Sequence, residues 1–360
     1  MLAGGIAVSR SAKDTAATIF GKLGKYAADR GTSVPDGERY IFLDETEYDV
    51  LVASRRVAHL KFGRAQAAAL IKAPAGEVLA LAGFDAEGLA RAERIREVDL
   101  SPGLVVAMLA DLEVDPSVSP ALVLNVVAAG SKDDAEYQGH DVADVMKLYP
   151  PLRMLEIDDD VAGTPNFHAN VLAVCAKQGA HGNGWIEPDL AEELALLAEQ
   201  RVAGLPYEFL TRAVLDLNPS NLFLALYRCL EATYAYAKAT ELASTLGIDG
   251  SWVDVARALG DTLSWYPRHD QSLAAVLAMP TVDATDLEAL ALAFGHDADS
   301  DTASIRVAMG LRELRNSLVH YGPTTRQVAI PSDWNGLCAP LARVVASVFA
   351  HAYATPAPAE

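Results

Sequence analysis

The sequence predicts an α+β protein, with a mixed α/β domain first and an all-helical bundle after it. Two patterns carry this prediction. Before about residue 180, short apolar runs alternate with polar, helix-patterned segments; from Asn218 onward, apolar residues recur almost throughout at helical spacing. The chain has 360 residues, 51% hydrophobic and 21% charged, which is enough for two domains and too apolar for a disordered chain. The boundaries read from these patterns are 1–180 for the mixed domain, 181–217 for a helical connector and 218–355 for the bundle.

Taken in order, Ser11 to Asp29 predicts a short helix with a basic face, carrying Lys13, Lys22 and Lys25. Gly21-Lys22-Leu23-Gly24 within it is a faint phosphate-loop pattern with no Walker motif behind it. Arg39–Leu43 and Tyr48–Ala53 read as short strands. Arg55, Arg56, His59, Lys61 and Arg64 then cluster, and Arg55, Arg56, Lys61 and Arg64 are the candidates for gripping RNA. Residues 86–97 read as a polar-faced helix, Ala121–Ala128 as a buried strand, and Leu152–Ile157 as another strand. Gly179–Gly184 reads as a flexible turn closing the first domain, and Glu187–Gln200 as a helix with Leu190, Leu194 and Leu197 inward.

Asn218 suits an N-cap, Pro219 the first helical position and Gly247 a C-terminal stop. Together they predict one rod of about 42 Å. Its aromatics Phe223, Tyr227 and Tyr234 fall at helical spacing and read as core. Further helices follow at about 251–263, 270–278 and 284–294, then a helix through Leu311–Leu318, and a last one reaching about Tyr353. Ser300 or Asp301 suits the cap of the Leu311–Leu318 helix, and Gly310 within it predicts the close approach of a neighbouring helix.

The net charge of −19 weighs against broad nonspecific nucleic-acid binding. One stretch departs from it. Thr302–Arg326 holds Arg306, Arg312, Arg315 and Arg326 against Glu313 alone, a net of +3. Cys175, Cys229 and Cys338 are far apart and form no CxxC pair, so they read as buried hydrophobes. No run approaches a membrane span, the N-terminus is too weakly apolar for a signal peptide, and the expected location is cytoplasmic. Asp158, Asp159 and Asp160 are adjacent and so cannot all reach one ion, and His168, Cys175 and His181 match no zinc spacing. The sequence predicts neither a metal site nor a cofactor.

The chemistry concentrates in Leu311–Pro323, LRELRNSLVHYGP. Leu311, Leu314 and Leu318 back an amphipathic helix that Gly322 and Pro323 end. Arg315 and His320 lie five positions apart, which turns an ideal helix about 140°. Arg312, Asn316 and His320 share one stripe instead, so a site touching both Arg315 and His320 has to be broad or closed by a second subunit. His320 can take or give a proton near neutral pH, Arg315 can stabilise a phosphorane, and Asn316 can bond phosphate or orient His320.

This stretch resembles the Arg-x4–6-His motif of the HEPN superfamily, including the polar residue after the Arg. The resemblance covers roughly the last 140 residues and rests mainly on that motif. It implies a HEPN-like helical bundle, a homodimer that joins two motifs in one site, and metal-independent cleavage of RNA, tRNA among the possible substrates, as in toxins and anti-phage effectors. Arg315, His320 and Asn316 would be catalytic. Glu231, Arg312 and Tyr321 would support them, with Glu231 able to hold the Arg315 guanidinium. The N-terminal domain would bind a trigger or protein partner. Two other readings remain open: a non-catalytic HEPN-like dimerisation or partner-binding module, and a metal-dependent nuclease built on the Asp158 region.

Overall fold

The computed structural model describes residues 10–84, 95–158, 162–182, 184–296, 303–320 and 330–354. The protein is mixed α+β, with one five-stranded sheet in the N-terminal half and a helical C-terminal part. It divides into two compact units, Met1–Phe167 and His168–Glu360.

In the first unit, β1 (Arg55–Lys61), β2 (Ala67–Ala73), β3 (Gly76–Ala82), β4 (Ile95–Val98) and β5 (Leu152–Ile157) are ordered β1-β2-β3-β5-β4. Every pairing is antiparallel. The β2–β3 hairpin closes at Ala73↔Gly76, where Gly76 takes φ 140°. Alternate residues of β2, namely Ala67, Ala69, Ile71 and Ala73, join the core with α1 (Ala12–Ala28) and α3 (Pro102–Asp111). Ala68 and Leu70, which point the other way, are equally buried. Ser11 caps α1 and Asp29 ends it, as the sequence predicts, and β5 occupies the predicted span.

Three predicted strands are absent or replaced. Tyr48–Ala53 belongs to α2 (Glu45–Ala53), because Asp44 accepts a hydrogen bond from the Glu47 N–H and starts a helix there. Ala121–Ala128 falls on α4 (Pro120–Val127), started by Ser119 as N-cap and Pro120 at the first position. It buries Val123 and Val127 and leaves Leu122 51% exposed. Arg39–Leu43 contributes only the isolated bridge Ile41↔His140. Most of the predicted helix at 86–97 lies outside the described residues, but Ile95–Glu97 is strand β4. α5 (Val142–Met146) completes the unit.

The second unit is helical: α6 (Phe167–Gly182), α7 (Pro188–Glu199), α8 (Tyr207–Val214), α9 (Pro219–Ala232), α10 (Tyr236–Leu246), α11 (Trp252–Leu263), α12 (His269–Leu277), α13 (Ala284–Ala293), α14 (Ala303–Val319) and α15 (Trp334–Ala352). The longest of these is α15, which packs on α7, α9, α12 and α13 and buries Leu337, Leu341, Val344, Val345, Val348 and Phe349. Arg343 on its flank reaches Asp286 and Glu193, both at 2.7 Å.

Gly179–Gly182 is not a turn but the end of α6, and a Cβ at Gly179 would stand 2.7 Å from Ile186 Cδ1. The predicted long rod is two helices. Thr233 ends α9, and its buried hydroxyl donates to the Leu230 carbonyl at 2.8 Å. Such a bond competes with continued helix. Gly247 takes the left-handed conformation that ends α10.

Candidate active site

α14 is fixed by its inner face. Val307, Leu311 and Leu314 are fully buried, and α14 packs on α9, α12 and α13. Gly310 lets α13 come close, since a Cβ there would lie 2.5 Å from the Phe294 ring. The opposite face shifts along its length from apolar to polar: Ile305 (54% exposed) and Met309 (47%), then the half-buried Arg312 and Asn316, at i, i+4, i+7 and i+11. Sequence reading found the polar end of this stripe and missed Ile305 and Met309. Their spacing from Arg312 was the available signal.

His320 is the first residue beyond α14, although its N–H still donates to the Asn316 carbonyl at 2.9 Å. Its imidazole is therefore free of the helical wheel and turns back to Arg315. Arg315 Nη1 donates to His320 Nε2 at 3.1 Å and to Asn316 Oδ1 at 3.1 Å. The expectation of a broad or two-chain cleft is thus corrected for this pair: one chain brings Arg315 and His320 into contact. A guanidinium can only donate. His320 Nε2 must accept, so in this arrangement the ring is neutral and carries its proton on Nδ1.

Glu231, in the last turn of α9, stands behind the guanidinium, with Oε1 3.8 Å from Arg315 Nη2. Arg315 and Glu231 side chains are 28% and 22% exposed, whereas His320 is exposed. Tyr227 and Tyr234 sit in the same helix–helix contact, their hydroxyls 3.4 Å apart. Burial raises both phenols, and Glu231 raises them further. They therefore stay protonated and are core groups, not surfaces on which bases could stack. Tyr321, Gly322, Pro323, Ser300 and Asp301 lie outside the described residues.

The other candidates are not in this cluster. Arg56 donates to Asp111 O (2.7 Å) and Glu113 Oε1 (2.9 Å), and Lys61 to Glu113 O (2.6 Å). His59 Nε2 donates to Leu112 O (3.0 Å). These groups clasp the carbonyl end of α3 in the first unit. Arg55 opens β1 and Arg64 lies in the turn after it, both exposed. Asp159 and Asp160 lie outside the described residues, and among the described residues no group of three His, Cys, Asp or Glu could hold a metal ion. Cys175 is fully buried, and burial pushes its thiol up, while His168 is half-buried, 3.9 Å from Glu208. Among the described residues no helix is long and apolar enough to cross a membrane. No protein-family model matches the chain, and no curated protein or solved structure matches it.

Proposed function

We propose that the second unit is a HEPN-type endoribonuclease that cleaves RNA without a metal. The observation that carries this reading is the contact of Arg315, Asn316 and His320 at the exposed end of α14. RNA supplies its own nucleophile. When Arg315, held by Glu231, turns its donors from His320 to the five-coordinate phosphorane, the freed Nε2 of the exposed His320 takes the proton of a 2′-hydroxyl. Asn316 bonds a phosphate oxygen or keeps Arg315 in place. The products are a 2′,3′-cyclic phosphate and a 5′-hydroxyl.

Each chain supplies one imidazole, so a second copy provides the acid that protonates the leaving oxygen. The exposed Ile305 and Met309 lead directly to Arg312 and Asn316 and support a homodimer along this face. By the same resemblance the enzyme would act as a toxin or anti-phage effector, with the first unit binding a trigger.

The test is incubation of the purified protein with total RNA and with tRNA in excess EDTA, beside His320→Ala. Wild type should cut and the variant should lose at least about 100-fold, the lower range for a general acid–base group. Equal cutting by both proteins refutes the assignment. A second reading, a non-catalytic partner-binding module, draws on the fact that Arg315 already has three partners within its own chain. It predicts no cleavage by either protein and a loss of stability in His320→Ala.

A further inference from the structure

The first unit contains a cavity of about 590 Å³, within the roughly 300–1,000 Å³ usual for small-ligand sites. It lies between α1, the end of β1 with the turn after it, and the segment after α3. Five cations line it: Lys22, Lys25 and Arg30 from α1, with Lys61 and Arg64 from the β1 side. Three carboxylates face them, Asp29, Glu113 and Asp115, so the lining is net +2 in a chain of −19. In the sequence these cations form two separate basic stretches, and the fold gathers both at one place.

Part of the gathering has a structural cause. The end of α3 leaves carbonyls unpaired and carries partial negative charge. Lys22 Nζ donates to Ala110 O at 2.8 Å, and Lys61 and Arg56 bond the next carbonyls. Capping does not exhaust the set. Lys25 and Arg64 are exposed, and neither side chain makes a hydrogen bond or ion pair among the described residues. An ammonium has three donors, of which Lys22 spends one on Ala110. The Arg30 guanidinium sits over the Tyr26 ring, its central carbon 3.8 Å from the centroid, and Nη1 donates to the Tyr26 carbonyl at 3.2 Å, which holds it at the cavity wall.

Two features of Glu113 belong to the same place. Its φ of 55° is left-handed, a conformation a non-glycine residue rarely takes and one that concentrates at binding sites. Its carboxylate is hydrogen-bonded by Arg56, which holds it below its usual range. The charge of Glu113 is thereby met by Arg56 and opposes an incoming anion less.

We propose that this cavity binds a diphosphate or triphosphate group, carried by a nucleotide or free as inorganic polyphosphate, with Lys25 and Arg64 as its main contacts and Lys22 as a third. The proposal does not depend on ribonuclease activity.

The experiment is calorimetric titration of the full-length protein with ATP, inorganic tripolyphosphate and adenosine, beside Lys25→Gln/Arg64→Gln. Both sites are exposed, and circular dichroism checks that the variant is folded. ATP or tripolyphosphate should bind, weakening with added salt, and adenosine should not. The double variant should lose about ten-fold in affinity per cation removed. ATP binding tighter than tripolyphosphate supports the nucleotide as source, and the reverse supports free polyphosphate. Absence of binding by either at about 1 mM, the weak end of specific affinity, overturns the proposal, as does unchanged binding by the variant. A short DNA strand that binds while ATP and tripolyphosphate do not also overturns it, in favour of a nucleic-acid backbone site.

Discussion

Arg343→Met tests how the bundle around α14 is held. Arg343 donates from Nε to Asp286 and from Nη1 to Glu193, each at 2.7 Å. It thereby ties α15 to α13 and α7. The Asp286 side chain is only 9% exposed, against 24% for Glu193 and 39% for Arg343 itself. Methionine keeps most of the stem but removes both charge-assisted bonds, each worth about 1.5–3 kcal/mol. Glu193 can rehydrate and the part-exposed guanidinium is already screened, so roughly half of that sum, about 1.5–3 kcal/mol, should be lost at neutral pH.

The pH dependence follows from Asp286. Burial raises its carboxyl above the ordinary value, and Arg343 pulls it back down. A raised folded-state pKa favours folding below the unfolded value of about 3.9 and turns unfavourable as pH climbs through the folded value. Without Arg343 the folded value rises further. The deficit of the variant should therefore be greatest near neutrality and shrink toward pH 4. Urea unfolding of wild type and variant at both pH values measures it. A deficit under about 0.5 kcal/mol at neutral pH, the ordinary range for a surface change, or an equal deficit at both pH values, refutes the reasoning.

Gly310→Ala should destabilise the protein although alanine is the better helix former. The gain of about 1 kcal/mol in propensity is smaller than the 1–3 kcal/mol of overpacking against Phe294. Thermal melts should show a lower midpoint, restored in part by Phe294→Leu, and a rise would sink the account. His140 is 6% exposed; its Nε2 donates to the Val126 carbonyl at 2.9 Å and its Nδ1 accepts from the Tyr137 hydroxyl. Burial lowers its pKa, so its stabilising contribution is present above the unfolded value of about 6.5 and lost as pH falls through the folded value. His140→Gln should flatten the decline in stability between pH 7.5 and 5; an unchanged slope would show that other groups cause it.

Capping chemistry explains much of what the sequence showed and hid. Ser11 and Asn218 with Pro219 mark helix starts in the sequence, and α1 and α9 begin there. Ser119-Pro120 carries the same signal but was outweighed by the apolar run behind it, since a short run of that kind suits a buried strand or a helix equally. Asp44 with Glu47 carries a helix-start signal before Tyr48–Ala53 that the strand-like composition of that run masks. β2 and β3 gave no alternation because both faces of the sheet are buried, and their alanines have little strand preference. The break at Thr233 needs a buried hydroxyl whose partner is known only once the helices are packed. At the candidate site, Arg315, Asn316 and His320 were legible as residue types. Their contact was not, because it depends on where α14 ends.

That ending has a consequence for how such motifs are recognised. A filter that keeps only residues on one side of a helical projection discards Arg315 and His320, which an unbroken helix would hold about 140° apart. Releasing the histidine from the helix one residue early converts a rotational constraint into a question of reach. The number of residues between the two then matters less than the position of the last helical hydrogen bond, among the described residues the one from His320 to Asn316. Pairs at several spacings can meet by the same device, and the helix terminus, more than the count of intervening letters, is what a search for them should locate.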